Sequence, residues 1–196
     1  MRTLSVSFAA AVSLLMVAGI AEGQKKSSSD AQYIAESLSA APKTIAKNAA
    51  VVRIEKDGSM TTLRQGKNGF SCMITANNRM CADANSMEFF QAWAKHQNPP
   101  DKLGLTYMLG GDKGASNTDP FATKPTADNQ WVVSGPHIML LPTDTSQLDA
   151  YPTDWTKGGP WVMWKGTPYA HIMVPTTSMP KSASKAPAAK KTADTK

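Results

Sequence analysis

The sequence predicts an α+β domain, in which N-terminal helices and one hairpin are followed by a mostly antiparallel sheet with long loops rich in Gly and Pro. Helical periodicity ends near residue 97, and beyond it short apolar runs alternate with Gly, Pro, Asn and Asp, as is typical of strands joined by loops. Between those runs the sequence lacks the crossover helices that a parallel sheet requires. Residues 30–180 are therefore predicted to form a single domain.

Capping residues predict the helices of this domain. Ser29 and Asp30 can cap the first helix, Pro42 fits the first turn of the second, and Ser86 can cap the third. The third helix has an apolar stripe, which favours burial of one face. The second helix is expected to end near residue 47 and the third near residue 97, and the stripe comprises Met87, Phe90, Trp93 and Ala94.

Strands are predicted both before and after the third helix along the chain. Asp57-Gly58 is a hairpin signal between two short runs. Several of the later runs are bounded by Pro, which cannot extend a ladder of hydrogen bonds. The predicted strands cover residues 51–55, 61–64, 103–109, 131–133, 137–141, 161–164 and 171–174.

Residues 1–23 have the pattern of a removable signal peptide. Arg2 gives a positive start, residues 4–20 form an apolar run, and Ala21-Glu22-Gly23 provides small residues where a signal peptidase reads, which predicts cleavage before Gln24. A retained anchor is the alternative, but the run is shorter than the roughly 20 residues that cross a bilayer. We expect a periplasmic or secreted protein that has no transmembrane anchor after signal removal, with a flexible segment at residues 24–29.

The net charge of +6 lies near the ends of the mature chain. Lys25, Lys26 and the Lys- and Ala-rich segment 181–196 account for it, so the body between them is neutral by count. Because nucleic-acid binding needs basic residues clustered on a folded face, a specific nucleic-acid partner is not expected. The segment 181–196 has too few apolar residues to offset the entropy of ordering and is predicted to be a disordered tail, with weak attraction to an anionic envelope as the alternative.

The chain has two cysteines, Cys72 and Cys81. In an oxidising compartment an even pair at short spacing most simply forms one disulfide, which here would close a poorly ordered loop. A metal site or a catalytic thiol is the alternative, although metal sites usually have closer Cys pairs with further ligands.

Six segments also carry a resemblance to known sequences. They are NGFSC (68–72), MC (80–81), YMLGG (107–111), SNTDP (116–120), GPHIM (135–139) and VMW through TPYAH (162–171). Through them the region from about residue 37 to residue 175 resembles a group of uncharacterised, signal-peptide-bearing bacterial proteins. The resemblance implies export and a single domain, and it implies no activity.

A near repeat provides the first candidate site. The segments PHIMLLP (136–142) and AHIMVP (170–175) each place a His two residues before a Met, so both side chains of a segment share one face of a strand. If the strands are neighbours, His137, Met139, His171 and Met173 could converge, and imidazole with thioether suits copper, above all Cu(I). The alternative is that the Met side chains fill the core and the imidazoles are simply buried beside them.

The second candidate is the loop GGDKGASNTDP (110–120), which follows a predicted strand. Its glycines allow close approach of the backbone, and Asp112, Ser116, Asn117 and Asp119 offer oxygen atoms to a small ligand or a hard cation. The loop matches neither the phosphate-binding loop nor the calcium-hand pattern. A structural role, with Asn and Asp side chains bonded to their own backbone, is the alternative.

A third candidate is a group of aromatic residues between positions 151 and 169. Aromatic rings in loops can bind flat ligands, and packing in the core is the alternative. Strand alternation predicts that Trp161 and Met163 face one way and Val162 and Trp164 the other. The group comprises Tyr151, Trp155, Trp161, Trp164 and Tyr169.

Taken together, these patterns predict an exported protein that binds a small ligand, a metal or an envelope partner, in a pocket formed by His137, His171, Tyr169 and the glycine-rich loop. Two alternatives remain. One is a hydrolase-like enzyme in which a His and an Asp of that pocket activate Ser116 or Ser134, although the Gly-x-Ser-x-Gly motif does not occur. The other is a non-catalytic protein that interacts with the envelope through its surface.

Overall fold

The computed structural model describes residues 19–76 and 78–178. Most of the predicted signal peptide and the whole of the predicted tail lie outside these residues. No helix within them is long and apolar enough to cross a membrane. The α-helices of the described chain are α1 (Gly19–Leu38), α2 (Lys43–Ala46) and α3 (Ala84–Ala94).

Most strands belong to one mixed sheet of eight strands, in the order β2-β1-β3-β4-β5-β8-β10-β9. All neighbours in it are antiparallel except β1 and β3, so the predicted α+β class with a mostly antiparallel sheet is confirmed. The strands are β1 (Ala50–Ile54), β2 (Met60–Arg64), β3 (Phe70–Thr75), β4 (Asn78–Asp83), β5 (Gly104–Met108), β8 (His137–Leu141), β9 (Trp161–Met163) and β10 (His171–Pro175), and a separate two-stranded ribbon consists of β6 (Ala115–Ser116) and β7 (Trp131–Val132).

The segment between the two cysteines differs from its prediction. It was expected to be a poorly ordered loop, but it forms the adjoining halves of β3 and β4. Cys72 and Cys81 lie directly opposite each other in this antiparallel pair, with a Cα–Cα distance of 3.9 Å, and form a disulfide. The predicted disulfide is present, and it links two paired strands instead of closing a loop.

Two helix starts also differ from the predictions. The described part of helix α1 spans Gly19–Leu38, so Ser29 and Asp30 lie inside the helix instead of capping it. The Asp30 carboxylate lies 2.6 Å from the Arg53 guanidinium on β1. The N-cap of α3 is Asp83, whose carboxylate accepts a hydrogen bond from the Ser86 amide. Ser86 was predicted as the cap, but it lies inside the first turn of α3, where its own amide is one of the free donors that a cap must satisfy.

The helices lie against opposite faces of the sheet. Side chains of α1 pack with the disulfide and with Val51 in one apolar cluster. Side chains of α3, among them the buried Phe89, pack against the other face in the largest cluster. That second face contains six buried methionines, which are Met73, Met80, Met108, Met139, Met163 and Met173.

Candidate functional site

The two His-Ile-Met segments come together on the face of the sheet that α3 covers. They form β8 and β10, which are antiparallel neighbours. Along each strand the buried side chains alternate with partly buried ones, so His and Met of each segment share the buried face. We call the surface formed by His137, Met139, His171 and Met173 the His–Met face.

The register fixes how these four side chains are arranged. Met139 is paired directly with Met173, and His137 is paired with Pro175. Each imidazole therefore lies two residues, or roughly 7 Å along a strand, from the Met pair, and the two imidazoles lie on opposite sides of it. The two thioethers are central, and one imidazole flanks them at each end.

Hydrogen bonds assign the same tautomer to both histidines. Nδ1 of His137 lies 2.7 Å from the Gly135 carbonyl oxygen, and Nδ1 of His171 lies 2.9 Å from the Tyr169 carbonyl oxygen. Because a carbonyl oxygen only accepts, each Nδ1 must carry the hydrogen, and each Nε2 has a free lone pair. Both rings are fully buried, and within the described chain neither Nε2 has a hydrogen-bond partner.

Burial keeps both imidazoles neutral. It lowers the pKa of His171 to about 4, although the hydrogen bond to the Tyr169 carbonyl acts in the opposite direction. Repulsion between the charged forms of His171 and His137 lowers the pKa of His171 further. Burial also lowers the pKa of His137, against smaller raising effects of the Gly135 carbonyl and of Asp112.

A third polar group on this side of the sheet also lacks a partner. Thr106 of β5 is paired directly with Met139, and its fully buried hydroxyl has no hydrogen bond to any described residue. Buried polar atoms in native proteins are nearly always bonded, and besides these three the described chain has unpaired buried hydroxyls at Ser37, Ser86 and Ser134. No group of three or more His, Cys, Asp or Glu side chains with metal-ligand geometry occurs in the described chain. A metal bound here would need the thioethers as ligands.

Aromatic rings cover the His–Met face. The Trp164 ring lies 4.8 Å from the His171 ring in an edge-on orientation, and the Phe89 ring of α3 lies 6.4 Å from it. Trp164 packs in the same cluster as Trp161 and Met163, whereas Val162 packs on the opposite face. The predicted alternation is therefore wrong at Trp164, because its left-handed backbone (φ 58°) turns the ring back over the site.

Residues of the glycine-rich loop accept hydrogen bonds that hold the tryptophan rings in place. Asn117 is buried, and its amide oxygen accepts a hydrogen bond from the Trp161 indole at 3.1 Å. Its carbonyl oxygen accepts one from the Trp164 amide at 2.8 Å, and the Ser116 carbonyl oxygen accepts one from the Trp164 indole at 2.8 Å. These two loop residues hold the tryptophans in position over the His–Met face.

The other predicted pocket residues are used in bonds within the protein. The Asp112 carboxylate accepts from the Gly114 and Ser134 amides, both at 2.9 Å, and the Asp119 carboxylate accepts from the Phe121 amide. The Tyr169 hydroxyl donates to the Gln97 carbonyl at 3.0 Å. The structure thus brings His137 and His171 to one face, but it places the side chains of Asp112, Asp119 and Tyr169 in structural bonds around it.

The predicted nucleophiles are both buried. The Ser116 hydroxyl donates to the Asn129 carbonyl at 2.8 Å and accepts from the Asp119 amide at 2.8 Å. The Ser134 hydroxyl is buried without a partner among the described residues, and in that part of the chain neither imidazole bonds to a serine hydroxyl. Within the described residues, neither serine therefore has an imidazole bonded to its hydroxyl that could activate it.

A cleft that the sequence patterns did not indicate lies beside the site. Its volume is about 700 Å³. Phe89 and Ala170, which are neighbours of His171, belong to its lining. The seven predicted pocket residues do not line it. The sequence feature that could have indicated this cleft is the proline at the ends of several segments. Four of these prolines line the cleft, namely Pro99, Pro100, Pro142 and Pro168.

Comparison with known proteins does not assign this site. No protein-family model, no curated protein and no solved structure matches the chain.

Proposed function

We propose that this protein is exported and binds a soft metal ion, Cu(I), at the His–Met face, where the paired thioethers of Met139 and Met173 lie between the imidazoles of His137 and His171. The observation that carries the proposal is the identical state of the two imidazoles. Each donates its Nδ1 hydrogen to a carbonyl oxygen and leaves a buried Nε2 lone pair beside paired thioethers. Metal-binding histidines usually have this arrangement, in which the second ring nitrogen is fixed by a backbone carbonyl or a carboxylate.

The nature of the donors favours Cu(I) over harder ions. Thioether sulfur is a soft ligand that selects Cu(I), whereas Ca²⁺ and Mg²⁺ require oxygen ligands. All four donors are neutral, because burial holds the pKa of both histidines below the usual value. A buried site without anionic ligands accumulates less uncompensated charge with a monovalent ion than with a divalent one.

The disulfide supports export. Cys72 and Cys81 are both fully buried and linked across β3 and β4. Such bonds form and persist in oxidising compartments and are rare where thiols are kept reduced. The disulfide also leaves no free cysteine within the described residues to compete for Cu(I).

Competition titration tests the proposal. The full chain is titrated with Cu(I) in the presence of a chromophoric Cu(I) chelator, with ascorbate as reductant because a thiol would attack the disulfide. We expect one ion per chain and quenching of tryptophan fluorescence, since Trp164 lies 4.8 Å from His171. His137→Gln and His171→Gln should each weaken the affinity by at least about tenfold.

Matched controls separate ligation from general damage. Met139→Leu and Met173→Leu conserve volume and should keep the fold, yet each should weaken Cu(I) binding. His96→Gln and Met60→Leu alter exposed residues outside the site and should leave the affinity unchanged. The proposal fails if the wild-type chain takes no Cu(I) from the chelator, or if Met60→Leu weakens binding as much as Met139→Leu does.

A further inference from the structure

An unbroken series of aromatic rings leads from the His–Met face to the protein surface. The ring of His171 lies 4.8 Å from Trp164, and Trp164 is stacked on Trp93 with 6.0 Å between ring centroids. Trp93 is stacked on Phe121 at 6.3 Å, and Phe121 is stacked on His96 at 4.0 Å. Three of these four contacts are nearly parallel, with interplanar angles of 5° to 12°.

Exposure rises steadily along the series. His171 is fully buried and Trp164 is 8% exposed, whereas Phe121 is 38% exposed. Trp93 is half-buried, and His96 is exposed. The series therefore connects a site closed to solvent with a point that a partner molecule can touch.

Both tryptophans of the series are held rigidly. The Trp164 indole donates to the Ser116 carbonyl at 2.8 Å, and the Trp93 indole donates to the Pro120 carbonyl at 3.1 Å. Trp164 is also held in a left-handed backbone conformation (φ 58°). A bulky residue in that conformation costs free energy, and such strain often accompanies a functional requirement.

We propose that Trp164 and Trp93 conduct single electrons between the His–Met face and the surface at Phe121, so that the bound copper ion is redox-active. This inference depends on the proposed function. In the outward step Cu(I) loses one electron and becomes Cu(II), and an outer-sphere one-electron acceptor at the surface is reduced by that electron. No atom, proton or ligand is transferred between the two. Tryptophan is the suitable relay because its indole is easily oxidised, and each ring-to-ring step along the series is short.

Stopped-flow oxidation of the copper-loaded chain tests this route. Hexacyanoferrate(III) is the acceptor, and its loss of colour reports one electron for each Cu(I). Trp93→Phe keeps an aromatic ring but removes the readily oxidised group, and it should slow the reaction by about tenfold. Trp164→Phe interrupts the series at its other tryptophan and should have the same effect. Trp155→Phe is the matched control, because Trp155 packs against the same cluster outside the series, and it should react at the wild-type rate.

Cu(I) loading of each variant is measured first by the chelator competition, so the two proposals can fail separately. If wild type does not load, both are overturned. If Trp93→Phe and Trp164→Phe load normally and react as fast as wild type and Trp155→Phe, the electron route is overturned while copper binding stands. Slow oxidation confined to the two variants of the series supports the route.

Discussion

Met139 of β8 lies directly opposite Met173 of β10, and this pair is the centre of a local two-fold arrangement. Because the strands are antiparallel and each carries His two residues before Met, pairing Met with Met places the imidazoles at opposite ends. Each strand thus contributes one imidazole and one thioether to the same face. The short sequence repeat therefore places four neutral donors symmetrically on one face of the sheet. This arrangement is the physical basis of the proposed copper site.

Acid should destabilise the protein through His171. In the unfolded chain its imidazole takes up a proton below about pH 6.5, whereas burial lowers the folded-state pKa to about 4 and keeps the ring neutral. Between these values the unfolded state binds more protons, so the free energy of unfolding falls as the pH falls. The linkage is worth about 3 kcal/mol over that interval.

Urea denaturation at about pH 7 and about pH 4.5 measures this effect. His171→Leu removes the titrating group and should lose less stability between the two pH values than wild type does. His96→Gln, which changes an exposed histidine, should lose as much as wild type. An equal loss in His171→Leu and wild type would show that other groups cause the acid sensitivity.

Strand positions could be predicted from the sequence because their signal is local. The segment 137–141 was predicted with the bounds that the structure has, and the alternation of its side chains placed His137 and Met139 on one face. How deeply each side chain is buried could not be predicted in this way. Period-two alternation states which side a residue faces, but burial depends on distant parts of the chain, as the packing of Phe89 of α3 and of Trp164 against His171 shows.

The aromatic rings that cover the site could not be predicted from local sequence patterns. The Trp164 ring lies over His171 only because its backbone adopts φ 58°, and a bulky residue gives no sequence signal for that conformation. The loop residues Ser116 and Asn117 were predicted as ligand contacts from their polar groups. Polar atoms alone cannot distinguish a ligand contact from a bond to a tryptophan indole far along the chain.

Asn117 should be among the most destabilising positions in the glycine-rich loop. Its side chain accepts from the Trp161 indole and donates to the Gln130 side chain and the Thr153 carbonyl. Asn117→Ala removes these bonds and leaves a buried indole N–H unpaired, which should cost about 2 to 4 kcal/mol of unfolding free energy.

Asn85→Ala is the matched control for this prediction. Asn85 also donates to a backbone carbonyl, that of Leu103 at 2.8 Å, but this bond is exposed. Its loss should cost less than about 1 kcal/mol, because water replaces the missing partner. Similar costs for the two alanine variants, measured by urea denaturation, would mean that Asn117 does not hold the tryptophans in place.

Two equally buried hydroxyls should respond in opposite ways to removal. Thr106 has no hydrogen-bond partner within the described chain, whereas Ser116 bonds to the Asn129 carbonyl and to the Asp119 amide. Thr106→Val keeps the branched shape and removes an unpaired polar atom, so we expect unfolding free energy to be unchanged or raised. Ser116→Ala breaks bonds that fix the loop and should cost about 1 to 3 kcal/mol.

Thermal unfolding of the metal-free chain and both variants distinguishes these outcomes. Because Thr106 and Ser116 are both almost fully buried, a difference between the variants reflects hydrogen bonding and not burial. A cost for Thr106→Val as large as that for Ser116→Ala would show that the Thr106 hydroxyl is bonded in solution. One of the unpaired polar atoms beside the His–Met face would then already be satisfied without a metal.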